Sequence, residues 1–346
     1  MFFVAYYDLS GMSSIYEDML ARLLRRYWFI LGIIVVIIVG AIEPSIGVAL
    51  SFGSTTRTVI VVILFLIAGL TLPSESIGQG LRNLRLHATI QAFVFLIHPF
   101  YYFLLTRILS GVIPPEIRTG IIALAVLPTT ISSCIVFTQS ADGNTVAAMF
   151  NAALANIAGV ILSPLLLSLL LQATDYAVPA GELWNILRKL ALNMLVPIAA
   201  GQLLRRGIAG FVTTHKKKLG VASNVLILGI IFLTFSETAS DPEFTAALSS
   251  MVLPFAVLAV SHLVLIALAF LVGRWGLRLR RDDLVAMLFV APQKTLAMGA
   301  PLLSVYFAAT PQMLGFALLP LIFYHMWQLI VAGFLKGLPM MATETH

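Results

Sequence analysis

The chain has 346 residues, of which 60% are hydrophobic and 10% charged, with a mean hydropathy of +1.00. Soluble domains carry about 25% charged residues, so this surface is not built for water and the chain belongs in a bilayer. The formal net charge of +6 calls for no nucleic acid, because the basic residues fall in short loops between apolar stretches, and the single Cys134 excludes an internal disulfide.

In chain order, Met1–Gly11 offers neither span nor motif. Arg22, Arg25 and Arg26 directly precede a long apolar run, as in a retained first helix rather than a cleaved signal. A spanning helix needs about 20 apolar residues. Ten stretches read as spans: 28–50, 58–73, 87–106, 119–140, 145–171, 190–208, 219–238, 250–273, 284–307 and 312–335. Alternate loops hold Arg22, Arg25, Arg26, Arg82, Arg85, Arg205, Arg206, Lys216–Lys218, Arg274, Arg278, Arg280, Arg281 and Lys336. The other set holds only Arg57, Arg107, Arg118, Arg188 and Lys189. Positive loops stay inside, so both termini are expected in the cytoplasm, in the plasma (bacterial inner) membrane.

The sequence echoes itself. "LAVLP" (124–128) returns as "LFVAP" (288–292), and "ILFLIAGLTL" (63–72) as "ILGIIFLTFS" (227–236), both 164 residues on. Five spans is an odd number, so a second copy enters the membrane from the opposite side, as in the inverted repeats of secondary transporters. The expected organisation is a cytoplasmic segment 1–27, a first five-helix repeat 28–172, a second 187–336 and a cytoplasmic tail 337–346. The fold class is all-α and polytopic.

Spans four and nine each carry a mid-span proline followed by polar residues, "PTTISS" (128–133) and "PQKT" (292–295). Proline removes a backbone donor and breaks the helix, and lipid offers the freed groups nothing. Paired breaks in corresponding spans point to a binding site. Beside them stand Ser132, Ser133, Gln293, Lys294 and Thr295. Lys294 lies eleven residues past Asp283, too deep to reach either surface, and a lysine at that depth costs several kcal/mol, on the order of 3. It reads either as a ligand for substrate or ion, or as a counter-charge to the carbonyl ends of broken helices. Asn151 and Asn156 read as site residues or as glue between helices, and Gln91 is equally ambiguous. His98 and His262 read as hydrogen-bonded core histidines; His325 shares a turn with Tyr324 and Gln328. Thr138 reads as bonding back to its own helix. No metal-ligand spacing, phosphate loop, paired catalytic carboxylates or nucleophile elbow occurs, so neither a cofactor nor an enzyme is expected.

Four strings, "LHATIQAFVFLIHP" (86–99), "SSCIVFTQSADGNTVAAMFNAALANIAGVILSPLLL" (132–167), "PQKTLAMGAPLL" (292–303) and "LLPLIFYHMWQLIVAG" (318–333), resemble the bile acid:sodium symporter family, in its calcium-homeostasis-regulator branch. The resemblance implies a panel domain (spans 1, 2, 6, 7) and a core domain (spans 3–5, 8–10), with helices four and nine crossing at their breaks. It implies sodium binding through a helix-nine glutamate and a glutamine–asparagine pair, with helix-four partners at Ser133 and Cys134. Here the glutamine is Gln293, but Lys294 replaces the asparagine and Phe289 the glutamate. The carboxylate is gone and a cation stands beside the site, which argues against sodium coupling. The expected function is alternating-access transport of a small, anionic organic solute by a monomer or weak dimer. The alternative is a regulator that controls calcium entry through a partner and transports little itself.

Overall fold

The computed structural model describes residues 27–52, 55–72, 83–174, 180–239, 241–248 and 250–337. Of the expected cytoplasmic segments 1–27 and 337–346, residues 1–26 and 338–346, with Arg22, Arg25 and Arg26, lie outside them, as does Arg82. Among the described residues all regular structure is helical. The helices are α1 Tyr27–Ile42, α2 Pro44–Ser51, α3 Thr55–Thr71, α4 Leu84–Ile108, α5 Pro115–Ala125, α6 Ser132–Ser140 and α7 Thr145–Leu171. They continue as α8 (180–207), α9 (209–238), α10 Pro242–Leu248, α11 Val252–Gly276, α12 Arg281–Val290, α13 Leu296–Tyr306 and α14 Pro311–Leu335.

Five helical runs are long and apolar enough to cross a membrane alone, six with the first bent pair. The differences from the sequence reading have local causes. The expected single span 28–50 is α1 and α2, bent by 96° at Glu43, where Pro44 cannot donate to the preceding turn. The expected spans 190–208 and 219–238 form one helical run, interrupted at Ile208 by non-helical φ −126° and ψ 25°. The expected spans 119–140 and 284–307 are each two short helices around a proline. Apolar side chains such as Val35, Leu96, Phe100, Leu169, Val252 and Phe334 are exposed, as a lipid-facing surface requires.

Packing follows from side-chain size. A Cβ on Gly69 of α3 would lie 2.4 Å from the Ile198 carbonyl oxygen, and one on Gly201 of α8 would lie 2.5 Å from that of Leu66. Only glycines let these backbones approach so closely. Gly69→Leu should therefore cost about 3 kcal/mol through overpacking, well beyond the gain of about 1 kcal/mol in helix propensity. Thermal unfolding of the purified variant measures this, and an unchanged midpoint would show that the helices are further apart.

Polar contacts sort the helix ends onto two faces. On one, Arg205 Nη1 donates to the Leu72 carbonyl (2.7 Å), and Arg281 donates to the carbonyls of Ala141 (3.0 Å) and Asp142 (3.2 Å). There too, buried Asp283 accepts from Asn83 Nδ2 (2.9 Å) and Asn144 Nδ2 (2.7 Å). Each asparagine also caps its own helix, Asn83 accepting from the Leu86 amide and Asn144 from the Ala147 amide. Three helix N-termini, of α4, α7 and α12, thus meet around one carboxylate, which suits their positive ends. On the other face Arg57 pairs with Glu237 at 2.7 Å, and Arg107 donates to the Ala173 carbonyl at 3.4 Å. Arg57 and Leu72 lie at opposite ends of α3. Because Arg205 reaches one end and Glu237 the other, α8 and α9 run in opposite senses along it.

Candidate functional site

The breaks at 126–131 and 291–295 sit side by side, and many of their opened carbonyls find donors in or beside the other break. Past Ala125 the chain is not helical until Ser132, so the carbonyls of four successive residues have no amide four residues on to accept from. Ser163 Oγ donates to Val126 (2.8 Å), Lys294 Nζ to Leu127 (2.7 Å), the Thr295 amide to Pro128 (2.9 Å), and Asn156 Nδ2 to Thr129 (2.9 Å). Gly159 lets Pro128 approach α7, where a Cβ would lie 2.8 Å from the proline ring. In the second break Thr129 Oγ1 donates to the Val290 carbonyl (2.7 Å) and the Tyr324 hydroxyl to that of Pro292 (2.7 Å). Gln328 donates to the Lys294 carbonyl (2.7 Å) and accepts from its amide (2.8 Å), doing with one side chain what a neighbouring strand would do. Each break therefore supplies partners to the other.

Lys294 is fully buried, and its ammonium has a second partner, the Val94 carbonyl at 2.9 Å. That carbonyl is open for a reason written in the sequence. Residues 93–97 form a π-turn of α4, so the His98 amide donates to Phe93, five residues back. The next amide in line, which would serve Val94, belongs to Pro99 and does not exist. The lysine bridges this orphaned carbonyl to the end of α5, as a counter-charge would.

Gln293 Oε1 accepts from Thr130 Oγ1 (2.6 Å) and Ser133 Oγ (2.9 Å), with Cys134 Sγ at 3.4 Å; Thr130 and Ser133 also bond to each other. Phe289 is fully buried and stacks on Phe137 with ring centres 5.8 Å apart. An apolar pair thus occupies the position that the resemblance assigned to a carboxylate, and hydroxyls occupy the lone pairs of the glutamine.

Of the residues singled out from sequence, Ser133, Gln293, Lys294, Thr295 and Asn156 come together here. Ser132 opens α6 and is exposed. Asn151 lies elsewhere, lacing α7 to α4: its Nδ2 meets His87 Nδ1 (2.8 Å) and the Ala147 carbonyl (2.9 Å), and Gln91 Nε2 donates to its backbone carbonyl (3.1 Å). His325 contacts Gln328 through Nδ1 (3.1 Å), one step from the break. The reading of His98 and His262 as hydrogen-bonded core residues is corrected: both are buried, and their ring nitrogens have no partner among the described residues. Thr129 and Thr130 were read as part of the first break but not singled out as site residues, and Ser163, Tyr324 and Gln328 were not placed at the breaks. A count of orphaned carbonyls around Pro128 and Pro292 would have called for donors of this kind.

The family model described as "SBF-like CPA transporter family (DUF4137)" matches residues 27–338. The chain belongs to this family. It is similar to sodium/bile acid cotransporter 7 of Danio rerio, 30% identical over 316 residues that cover 90% of this chain and 93% of that protein. The Rattus norvegicus protein of the same name is 31% identical, covering 90% and 92%. An uncharacterised Pseudomonas aeruginosa protein is 31% identical over 309 residues, covering 89% and 91%. The chain is accordingly an integral membrane protein of a transporter family, which is not an enzyme family, and the resemblance read from its motifs is upheld.

Proposed function

We infer that this protein is a secondary transporter that moves a small anionic solute by alternating access. The observation that carries the reading is the mutual capping of two helix breaks 164 residues apart, with Thr295 donating to Pro128 and Thr129 to Val290. The same offset relates α5 to α12, α6 to α13 and α7 to α14, which supports two inverted five-helix repeats. In this reading α5 with α6 and α12 with α13 are the crossed spans four and nine. The helices α1–α3, α8 and α9 make the panel, and the rest make the core. The face bearing Arg205, Arg281 and Asp283 is cytoplasmic, because the excess of basic residues lies there.

The anionic preference rests on a cavity of about 190 Å³ where α3 and α8 meet α13. Lys189, Thr58, Asn193 and Ser304 line it together with Arg57, whose charge is already paired with Glu237 at 2.7 Å. The volume equals roughly six waters at about 30 Å³ each, which suits a small carboxylate or oxyanion rather than a sterol. Purified protein in liposomes should take up one of radiolabelled succinate, sulfate or phosphate, and Lys189→Gln should reduce the initial rate by about tenfold, the loss of one charge-assisted hydrogen bond. Uptake of none of them above empty liposomes would refute the reading.

Sodium is not the coupling ion in this account. Gln293 is engaged by hydroxyls, and Lys294 supplies the positive charge. Sodium should give no thermal stabilisation beyond a matched potassium control. A ligand at a hundred times its Kd stabilises by about 2.7 kcal/mol, so a sodium-specific rise in the unfolding midpoint would be plain and would overturn this point.

A further inference from the structure

Arg57 and Glu237 are each set against the field of their own helix. Arg57 is the third residue of α3, near a helix end that is partly positive, and Glu237 is the last but one of α9, near an end that is partly negative. Helix electrostatics alone would exchange the two. Their side chains are 6% and 15% exposed, and Arg57 Nη1 lies 2.7 Å from Glu237 Oε2, yet these atoms are out of line for a hydrogen bond. The pair cancels charge without satisfying either atom. It also bounds the cavity of about 190 Å³: Arg57 lines it, and Glu237 reaches it through Arg57. Lys189, the other lining cation, is exposed and stands at the mouth. Ser304 is buried in the wall and donates its hydroxyl proton to the Ala300 carbonyl (2.8 Å), so it offers an occupant lone pairs rather than a donor.

We propose that Glu237 makes this cavity selective for singly charged acids whose far end carries a neutral hydrogen-bond donor. The proposal rests on the transporter reading above. A monoanion sets its charge against Lys189, leaves the Arg57–Glu237 pair intact, and brings a donor to the Ser304 oxygen. A dianion of the same shape has one carboxylate left over. That carboxylate meets the Ser304 lone pairs, and its charge either stands beside Glu237 or draws Arg57 away and strands Glu237 in a place with little water. Selectivity of this kind comes from penalising the wrong ligand rather than from an added contact to the right one. Dihydrogen phosphate, singly charged and carrying hydroxyl donors, fits this description. Sulfate, doubly charged with no donor, does not.

Succinate and succinamate, in which one carboxylate becomes a carboxamide, share size and shape and differ by one charge. The test measures uptake of each radiolabelled acid into liposomes and thermal stabilisation of the purified full chain by each. The wild type should favour succinamate by about tenfold. Glu237→Gln should abolish or reverse that preference, and Glu237→Asp, which keeps the charge, should retain it. A wild type that takes succinate as readily as succinamate overturns the proposal even where Glu237→Gln fails to fold. An unchanged preference in a folded Glu237→Gln overturns it as well, and both results leave transport standing. Stabilisation by succinamate over succinate, with no uptake of either acid or of phosphate, supports the selective site and removes the transporter reading instead. Neither stabilisation nor uptake with either acid overturns the proposal, and phosphate uptake then decides whether transport stands.

Discussion

Replacing Lys294 with methionine should destabilise the folded protein by about 2–4 kcal/mol and abolish transport. Methionine keeps the length and fits the apolar surroundings, but it strands the Val94 and Leu127 carbonyls that the ammonium now serves. Each buried acceptor left without a donor costs about 1–3 kcal/mol. Part of that loss is offset because a buried ammonium no longer has to be desolvated. The balance still favours the lysine, since neither carbonyl has a backbone alternative: Pro99 cannot donate to Val94, and the chain past Leu127 is not helical. Thermal unfolding in a fixed lipid decides the point. A variant as stable as the wild type would mean that water enters the site and serves both carbonyls.

The second large effect belongs to Gln328. Gln328→Leu should cost about 2–5 kcal/mol, because one fully buried side chain satisfies both the amide and the carbonyl of Lys294. His325→Phe is the comparison, since His325 is only partly buried and its ring touches the same network through a single 3.1 Å contact. The leucine variant should unfold well below the phenylalanine variant. Equal midpoints would show that the second break does not depend on Gln328.

Much of the molecule was legible because lipid leaves backbone few choices. A proline within an apolar helix must open the backbone, so "PTTISS" and "PQKT" announced the breaks, and the two breaks do meet. Gln293 and Ser133 were found because they stand beside those prolines. What sequence spacing could not give was the partner of each opened group. Lys294 meets Val94, 200 positions away, only because a π-turn and Pro99 together free that carbonyl. Ser132 read as well as Ser133 by position, yet one residue of rotation on α6 turns it out of the site. The histidines were misread for a related reason. Isolated histidines in apolar helices usually have partners, and the want of one shows only when the helices are brought together.

The mutual capping of the breaks also sets an order of assembly. The carbonyls of Leu127 and Pro128 depend on Lys294 and Thr295, which follow them by 167 residues. At about 5–20 residues per second, these late donors arrive roughly ten to thirty seconds after the early acceptors have left the ribosome. During that wait the first half of the protein enters the bilayer with open carbonyls at mid-depth, where lipid cannot serve them. The insertion machinery, or water held within it, must shelter the nascent chain through this interval, and the first half made alone should be cleared by membrane proteases rather than accumulate.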